Sequence, residues 1–391
     1  MTLANRGKVE VHFGDGTVID QWQAVSLRDT YTDPLGDLRL ETRPTRDKAK
    51  EYYSRLQKGE LVTVLINGVS QGGFLIQAVQ TTIGQHGIGF AVHGHTPLVT
   101  PYQASANPDY AIKQQADTPV EQVILDILRP FGFTKIVADS RAHVDAISGR
   151  PIGGPKPSLT TSALKIRDAH VHEGETAYDY IKRIVTRLGV QLRMTADSEG
   201  TLLIQAPDYD QDPSYTLVDG FGGPRQGDYL IGDIEIEDTN DDQFSECTVR
   251  GEPIDAAAQT QTNRPIGRVT SAELFPDRPP YKSSSAAIYK PKFVRDKSSR
   301  DHERAVSVAK LELGVPASKA FVISGEVDGW IAQTGRVWTV DTIATVDIAA
   351  IGFHEDMWVL ERVLVQDTRG GQRTRLKLIP KGALVLGDPP K

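Results

Sequence analysis

Gly68-Val69-Ser70-Gln71-Gly72 has the Gly-x-Ser-x-Gly spacing of a nucleophile elbow, the turn that raises a serine oxygen for attack on a carbonyl. An elbow needs a strand running into a helix, whereas Gly73 to Ile83 reads as a return strand, so Ser70 is expected at a hairpin tip. His93-Gly94-His95 and His170-Val171-His172-Glu173 place two imidazoles two residues apart, a spacing that aims both from one side of a strand. A zinc site wants three or four ligands, and the sequence indicates no third one for either pair. Solvent-facing strand histidines, without a metal, are the reading. The acidic run Asp233, Glu235, Glu237, Asp238, Asp241, Asp242, Glu246 lacks the glycine and the closing glutamate of a calcium loop and reads as a solvated strand edge and turn. Lys290, Lys292, Arg295, Lys297 and Arg300 form a basic segment that is solvated or docks on an acidic neighbour. There is no Gly-x-x-x-x-Gly-Lys-Ser/Thr phosphate loop, and Gly220-Phe221-Gly222-Gly223 does not continue as a dinucleotide fingerprint. Carboxylate pairs for glycoside hydrolysis are defined by a separation in space of about 5–10 Å that sequence does not give. The expectation is no catalytic residue, no cofactor and no metal ligand.

Composition narrows the classes further. The chain has 391 residues, of which 39% are hydrophobic, enough for two to four ordinary cores. With 44 Lys+Arg against 51 Asp+Glu the net charge is −7, which disfavours a protein built to grip nucleic acid through clustered cations. The single cysteine, Cys247, forms no intrachain disulfide and no multi-cysteine metal site, in keeping with synthesis in a reducing cytoplasm. No stretch approaches the roughly 18 apolar residues of a membrane span, and Met1 to Glu10 lacks the apolar core of a signal peptide, so a soluble chain outside the Sec route is expected.

The elements that would hold these residues are mostly strands. Lys8 to Phe13 alternates, Gly14-Asp15-Gly16 turns, and Thr17 to Ile19 returns. Glu60 to Ile66, the turn pair Asn67-Gly68 and Phe74 to Ile83 make a stronger hairpin, followed by Ile88-x-Phe90-x-Val92. One charged helix, Arg46 to Gln57, interrupts this β-rich start. From about Pro97 the period changes to 3.6: Val120, Val123, Ile124, Ile127 and Leu128 share a helix face, with Thr118 as N-cap, Pro119 at the first helical position and Pro130 as terminator. A second helix opens at Glu175-Thr176 and stops at Gly189, flanked by strands at 164–171, 190–194 and 201–205. Strand character returns at Leu230 to Glu237 and Cys247 to Arg250. Glu252 to Arg300 then loses periodicity and reads as an insertion that orders partly against a partner. A helix with Ala305, Val308 and Ala309 follows, then strands at 321–327, 336–340, 358–366 and 373–379.

An internal echo runs through this pattern. Gly59-Glu60-Leu61-Val62-Thr63-Val64 and Gly335-Arg336-Val337-Trp338-Thr339-Val340 share Gly-x-apolar-x-Thr-Val, and each precedes a long hairpin. With Val79 matched to Val363, the turn glycines Gly87 and Gly371 coincide. The reading is two copies of one barrel, with Gly59, Thr63, Val64, Gly335, Thr339 and Val340 as repeat markers. The fold class expected is β-rich α+β: two similar antiparallel β-barrels, a small α/β middle domain and an insertion. The limits are 1–97 for the first barrel, completed by about 212–235, then 98–211 for the middle domain and 236–391 for the second barrel, with the insertion at about 252–320.

Three passages taken together carry a family resemblance. Glu173-Gly174-Glu175-Thr176-Ala177-Tyr178 to Leu188-Gly189-Val190, with Asp197-Ser198-Glu199-Gly200-Thr201-Leu202-Leu203-Ile204, is similar to the middle domain of baseplate hub proteins of Mu-like contractile-tailed phages. Trp358-Val359-Leu360 to Val365 and Gly370-Gly371-Gln372-Arg373-Thr374-Arg375-Leu376-Lys377-Leu378-Ile379-Pro380 resemble the end of the same proteins, and the N-terminal hairpins fit as well. The resemblance implies a tail-tube-like fold and a homotrimeric ring in the virion tail baseplate. Such a ring meets the tail tube or a tube initiator on one face and the central spike on the other. It can also touch baseplate wedge proteins, lets DNA pass without binding it specifically, and inserts in no membrane itself. The acidic run would then face that passage. His172 to Val190 also resembles a LysM module, with Gly174, Glu175 and Thr176 as its turn, which makes a peptidoglycan-binding or peptidoglycan-hydrolysing tail-tip protein the alternative. The hub of a type VI secretion spike or of a phage-tail-like particle is the nearest variant.

Overall fold

The computed structural model describes residues 7–85, 87–107, 118–138, 165–166, 171–187, 193–196, 200–205, 207–209, 211–221, 223–239, 241, 243–252, 264–274, 289–296, 299, 302–317, 319–368 and 370–381. The chain forms two compact units. One comprises Met1–Ile181, Arg193–Glu235 and Ser324–Leu378; the other comprises Lys182–Leu192, Ile236–Ile323 and Ile379–Lys391.

The first unit begins with seven strands: β1 Val9–Phe13, β2 Val18–Ile19, β3 Ala24–Thr30, β4 Asp37–Thr42, β5 Leu61–Ile66, β6 Val69–Gly84 and β7 Gly87–His95. Alternation works as expected. Val9, Val11 and Phe13 point into the core from β1, and Val62, Val64 and Ile66 do so from β5, with Val11 opposite Val64. Asn67 (φ 50°) and Gly68 (φ 79°) both adopt left-handed backbone, the requirement of a two-residue type I′ hairpin turn, which is why this dipeptide stands between β5 and β6. The helix Arg46–Arg55 buries Ala49 and Tyr52 and lies between β4 and β5 in the chain.

In the middle of the chain, Thr118–Pro119 (β8) pairs antiparallel with Lys165–Ile166 (β10), so the helix starts one residue later than expected, at Val120, and runs to Leu128. Pro130 sits in a 3-10 turn, Arg129–Phe131, that ends it. Lys135–Ala138 (β9), absent from the sequence reading, pairs parallel with Thr201–Gln205 (β12), which pairs antiparallel with Arg193–Ala196 (β11). The second helix is Ala177–Arg187. Gly189, proposed as its stop, lies outside the described residues.

Tyr215–Val218 (β13) and Asp228–Asp238 (β14) precede the second unit's strands, Glu246–Arg250 (β15), Ile266–Thr270 (β16) and Pro291–Arg295 (β17). Then come Phe321–Asp328 (β18), Ile343–Ile348 (β19), Phe353–Asp367 (β20) and Gly371–Pro380 (β21). The large sheet has thirteen strands in the order β19-β13-β14-β18-β21-β20-β3-β4-β7-β6-β5-β1-β2, and β19 also pairs with β20. That last pairing closes β19, β13, β14, β18, β21 and β20 into a six-stranded barrel, which leaves no open edge among those strands. Trp338 and Trp358 are completely buried, and the Tyr215 ring lies 4.2 Å from that of Trp338. Residues 212–235, expected to complete the first barrel, thus belong by pairing to the closed C-terminal barrel: strand β13 pairs parallel with both β14 and β19, long-range partners that alternation does not reveal.

The second unit has its own core. β15 lies between β16, antiparallel, and β17, parallel, and the helix His302–Ala317 covers one face through Ala305, Ala309 and Leu313 against Cys247, Val249 and Val269. A Cβ on Gly267 would come within 2.2 Å of the backbone at Ala305–Val306, so only glycine permits this helix to sit so near the sheet. The 252–300 stretch, read as aperiodic, therefore supplies two strands of a small α/β body.

Candidate functional site

Three groups converge on the outer face of the β4–β7 pair. Register places Asp37 opposite His95 and Arg39 opposite His93, so the period of two along each strand turns Asp37, His93 and His95 to the same side. One ligating atom from each lies within 4.8 Å of the others. His93 Nε2 is 2.5 Å from Asp37 Oδ1, His95 Nδ1 is 3.0 Å from the Gly36 carbonyl oxygen, and Arg39 Nε donates to Asp37 Oδ2 at 3.0 Å. The two imidazoles meet edge to face with centroids 4.7 Å apart. Sequence reasoning found the two histidines and missed Asp37, which lies 56 residues from His93 and is brought to it only by strand pairing.

The Gly-x-Ser-x-Gly motif lies in the β5–β6 hairpin. Ser70 is exposed on β6 opposite Leu65, and β6 continues as a strand to Gly84, so no helix N-terminus stands behind the hydroxyl. Cys247 is buried under the helix His302–Ala317, and burial pushes its thiol up to about 11, far from a reactive thiolate. His172 is described and His170 is not.

The Gly174-Glu175-Thr176 turn is engaged in opening its helix. Thr176 Oγ1 accepts from the Asp179 amide at 3.0 Å, which satisfies a backbone donor left over at the helix start, and Glu175 Oε2 accepts from the His172 amide at 2.9 Å within the preceding turn. The backbone ties the turn to Ala104–Ala106: Ala106 N donates to Glu175 O at 2.8 Å and Ala177 N to Ala104 O at 2.9 Å. Burial raises the Tyr178 hydroxyl well above the ordinary tyrosine value.

The charge runs separate on inspection. Asp233, Glu235, Glu237 and Asp238 occupy the outer end of β14 and are exposed. Glu246, counted with them, is instead buried and paired with Arg268. Lys292 reaches Glu312 at 2.6 Å and Arg295 reaches Glu252 at 2.6 Å, so these members of the basic segment are neutralised within their own unit. Lys297 and Arg300 lie outside the described residues.

One half of the Gly-x-apolar-x-Thr-Val echo lies in a strand and the other does not. Gly59 and Gly335 share left-handed backbone (φ 88° and 80°). After Gly59, Thr63 and Val64 lie in β5. After Gly335, however, the chain makes one isolated bridge, Ile331 with Val337, and Thr339 bonds the Tyr215 hydroxyl while Val340 is buried. The strand 336–340 expected from sequence is absent because a short buried turn occupies the place. In the hairpin half, Gly87 and Gly371 both have positive φ, and Phe90, Val92 and the positions matched to them, Thr374 and Leu376, are all buried.

The whole architecture, β-rich α+β with a closed barrel, is that of phage tail proteins. The tail protein of Neisseria meningitidis MC58 matches with a TM-score of 0.70 at 17% identity, covering 97% of this chain and 98% of that one. The 43 kDa tail protein of prophage MuSo2 from Shewanella oneidensis matches with a TM-score of 0.70 at 16% identity, covering 96% and 99%. In sequence, the chain is 21% identical over 376 residues to baseplate hub protein gp44 of Escherichia phage Mu, covering 95% of this chain and 88% of gp44. No family model matches. The likeness to Mu-like baseplate hub proteins read from the sequence thus extends over nearly the full chain.

Proposed function

We propose that this chain is the structural hub of a contractile phage tail baseplate, working as a homotrimeric ring that joins a six-fold tail tube to a three-fold central spike. The observation that carries this reading is a repeated strand order. Strands β1, β3, β4, β5, β6 and β7 lie in the spatial order β3-β4-β7-β6-β5-β1, and β13, β14, β18, β19, β20 and β21 lie in the order β14-β18-β21-β20-β19-β13. Position by position, chain order and spatial order agree; strand direction differs at the last pair, where β1 runs antiparallel to β5 and β13 parallel to β19. Three copies of a chain with two similar bodies present six similar surfaces, the number a six-fold tube requires, while the ring itself keeps the three-fold symmetry of a spike. The name of gp44, a baseplate hub protein, supports the same placement.

In this account the first body lies within 1–97, the middle domain within 98–211, and the second body takes β13, β14 and β18–β21, with the β15–β17 unit inserted. The exposed acidic end of β14 suits the wall of a channel that DNA must leave without sticking, because like charges repel. The ring acts without chemistry: the one serine in an elbow-like motif lacks the helix that would activate it, and the cysteine is buried with a raised pKa. Sedimentation equilibrium of the full chain, alone and with its spike and tube proteins, tests the stoichiometry. Three copies of the chain per particle are expected, alone or in the complex with those partners; a chain that stays monomeric alone and enters the complex in any other number overturns the ring.

A further inference from the structure

We propose that Asp37, His93 and His95 form a binding site for one divalent transition-metal ion of the zinc, nickel and cobalt class, fastening β4 to β7. Two imidazoles and a carboxylate are a ligand set that such ions prefer and that calcium and magnesium, which take oxygen ligands, do not. The three ligating atoms already stand within 4.8 Å of one another, so small rotations of these partly buried side chains bring them around one ion. The neighbouring contacts are those that orient metal ligands. His95 Nδ1 is turned to the Gly36 carbonyl at 3.0 Å, which sets the tautomer with hydrogen on Nδ1 and leaves the Nε2 lone pair free to coordinate. Arg39 holds Oδ2 of Asp37 at 3.0 Å, so that Oδ1 faces His93.

The Arg39 guanidinium brings a positive charge close to the ion, which lowers affinity. Its side chain is 67% exposed and high-dielectric solvent screens it. Three protein ligands leave at least one position of a tetrahedral ion to water. The consequence is mechanical: β4 and β7 are joined by the ion as well as by their ladder, and the sheet that carries the long β6–β7 hairpin is stiffened at its inner end.

The test is uptake of Zn²⁺ by the full chain at neutral pH, measured by competition with a chromophoric chelator, with Co²⁺ absorption as the geometry probe. One ion per chain is expected, with a visible Co²⁺ spectrum of low coordination number and a melting temperature that rises by several degrees when Zn²⁺ is added. His95→Gln and Asp37→Asn each weaken binding by about tenfold or more, and His93→Ala with His95→Gln abolishes it. His12→Ala and His354→Ala, at other partly exposed histidines, leave it unchanged. Circular dichroism of the apo variants establishes that they fold. Absence of stoichiometric uptake, or uptake that survives the double variant, overturns the site.

Discussion

In the N-terminal row, β3 and β1 stand at opposite ends of β3-β4-β7-β6-β5-β1, and among the described residues no pairing joins them. Their C-terminal counterparts, β14 and β13, pair with each other, Leu217 opposite Asp228 and Val218 opposite Tyr229, and the row becomes a closed barrel. The same six-strand order therefore ends once as an open row and once as a ring. The N-terminal row gives its β3 edge to β20, Leu27 opposite Leu364, and its β1 edge to the two-residue β2. An edge strand that short offers little template for stray pairing, one of the ways in which open sheets avoid aggregation. Both bodies bury aliphatic and aromatic side chains, Leu38, Leu40, Phe74 and Phe90 in the open row and Leu217, Val346, Tyr215 and Trp338 in the ring. The C-terminal part also buries polar groups: Asp341 accepts from the Trp358 indole at 3.0 Å and from the Asp208 amide at 3.0 Å. Closure makes an interior in which buried polar groups must be satisfied from within.

The largest effect should come from emptying that interior. Trp338→Ala removes a completely buried indole and is expected to cost about 3–5 kcal/mol. Hydrogen exchange followed by mass spectrometry should show protection lost in β13, β14 and β18–β21 while β1 and β5 keep theirs; equal loss in both would erase the distinction between ring and row. Next in size is the join. Arg362 on β20 is buried, donates to the Trp338 carbonyl and lies opposite Asp29 of β3. Replacing it as Arg362→Met is expected to cost about 1.5–3 kcal/mol in urea unfolding, with exchange increased on both β3 and β20.

A pH-dependent effect follows from Asp228, at the closing seam of the ring. Burial raises its carboxyl to about 6, although the Gln333 amide donates to Oδ1 at 2.9 Å and to Oδ2 at 3.2 Å. A carboxyl whose folded pKa lies above its unfolded value of 3.8 gives stability that is present at low pH and lost as pH rises through about 6. Asp228→Asn should then stabilise the chain by about 1–2 kcal/mol at pH 7.5, with the gain vanishing near pH 4, as read from urea midpoints across that range. The smallest effect is at the β5–β6 turn: Asn67→Ala puts a side chain of low left-handed tolerance at φ 50° and should cost about 1 kcal/mol, confined to exchange in β5 and β6.

What the sequence discloses follows the range of the interactions. Hairpins whose partners are near in the chain, β1–β2, β5–β6 and β6–β7, were legible from alternation and from Asn67-Gly68, and so was the helix start at Thr176. The parallel pairings β13–β19 and β15–β17 join segments far apart in sequence, with no turn residue to mark them, so a second barrel and an insertion were legible while the membership of β13 and β14 in that barrel and the strands of the insertion were not. Gly267 was the available signal in the insertion, a glycine within a short β-branched run that fits the close approach of the small-residue helix face. At the metal site the i, i+2 histidines were visible, whereas Asp37 depends on the β4–β7 register. In the repeated strand order the counterpart of β5 is Ile343–Ile348, eight residues beyond Gly335, a displacement that the Gly-x-apolar-x-Thr-Val match does not reveal.

Electron cryomicroscopy of the purified full chain, in a ring or bound to its spike, tests the central claim most directly. The account predicts a three-fold ring whose tube-facing surface shows six lobes, alternately an open row and a closed barrel, superposable after a rotation of about sixty degrees. A ring in which the two bodies of each chain lie at different radii or heights, or particles without three-fold symmetry, would contradict it.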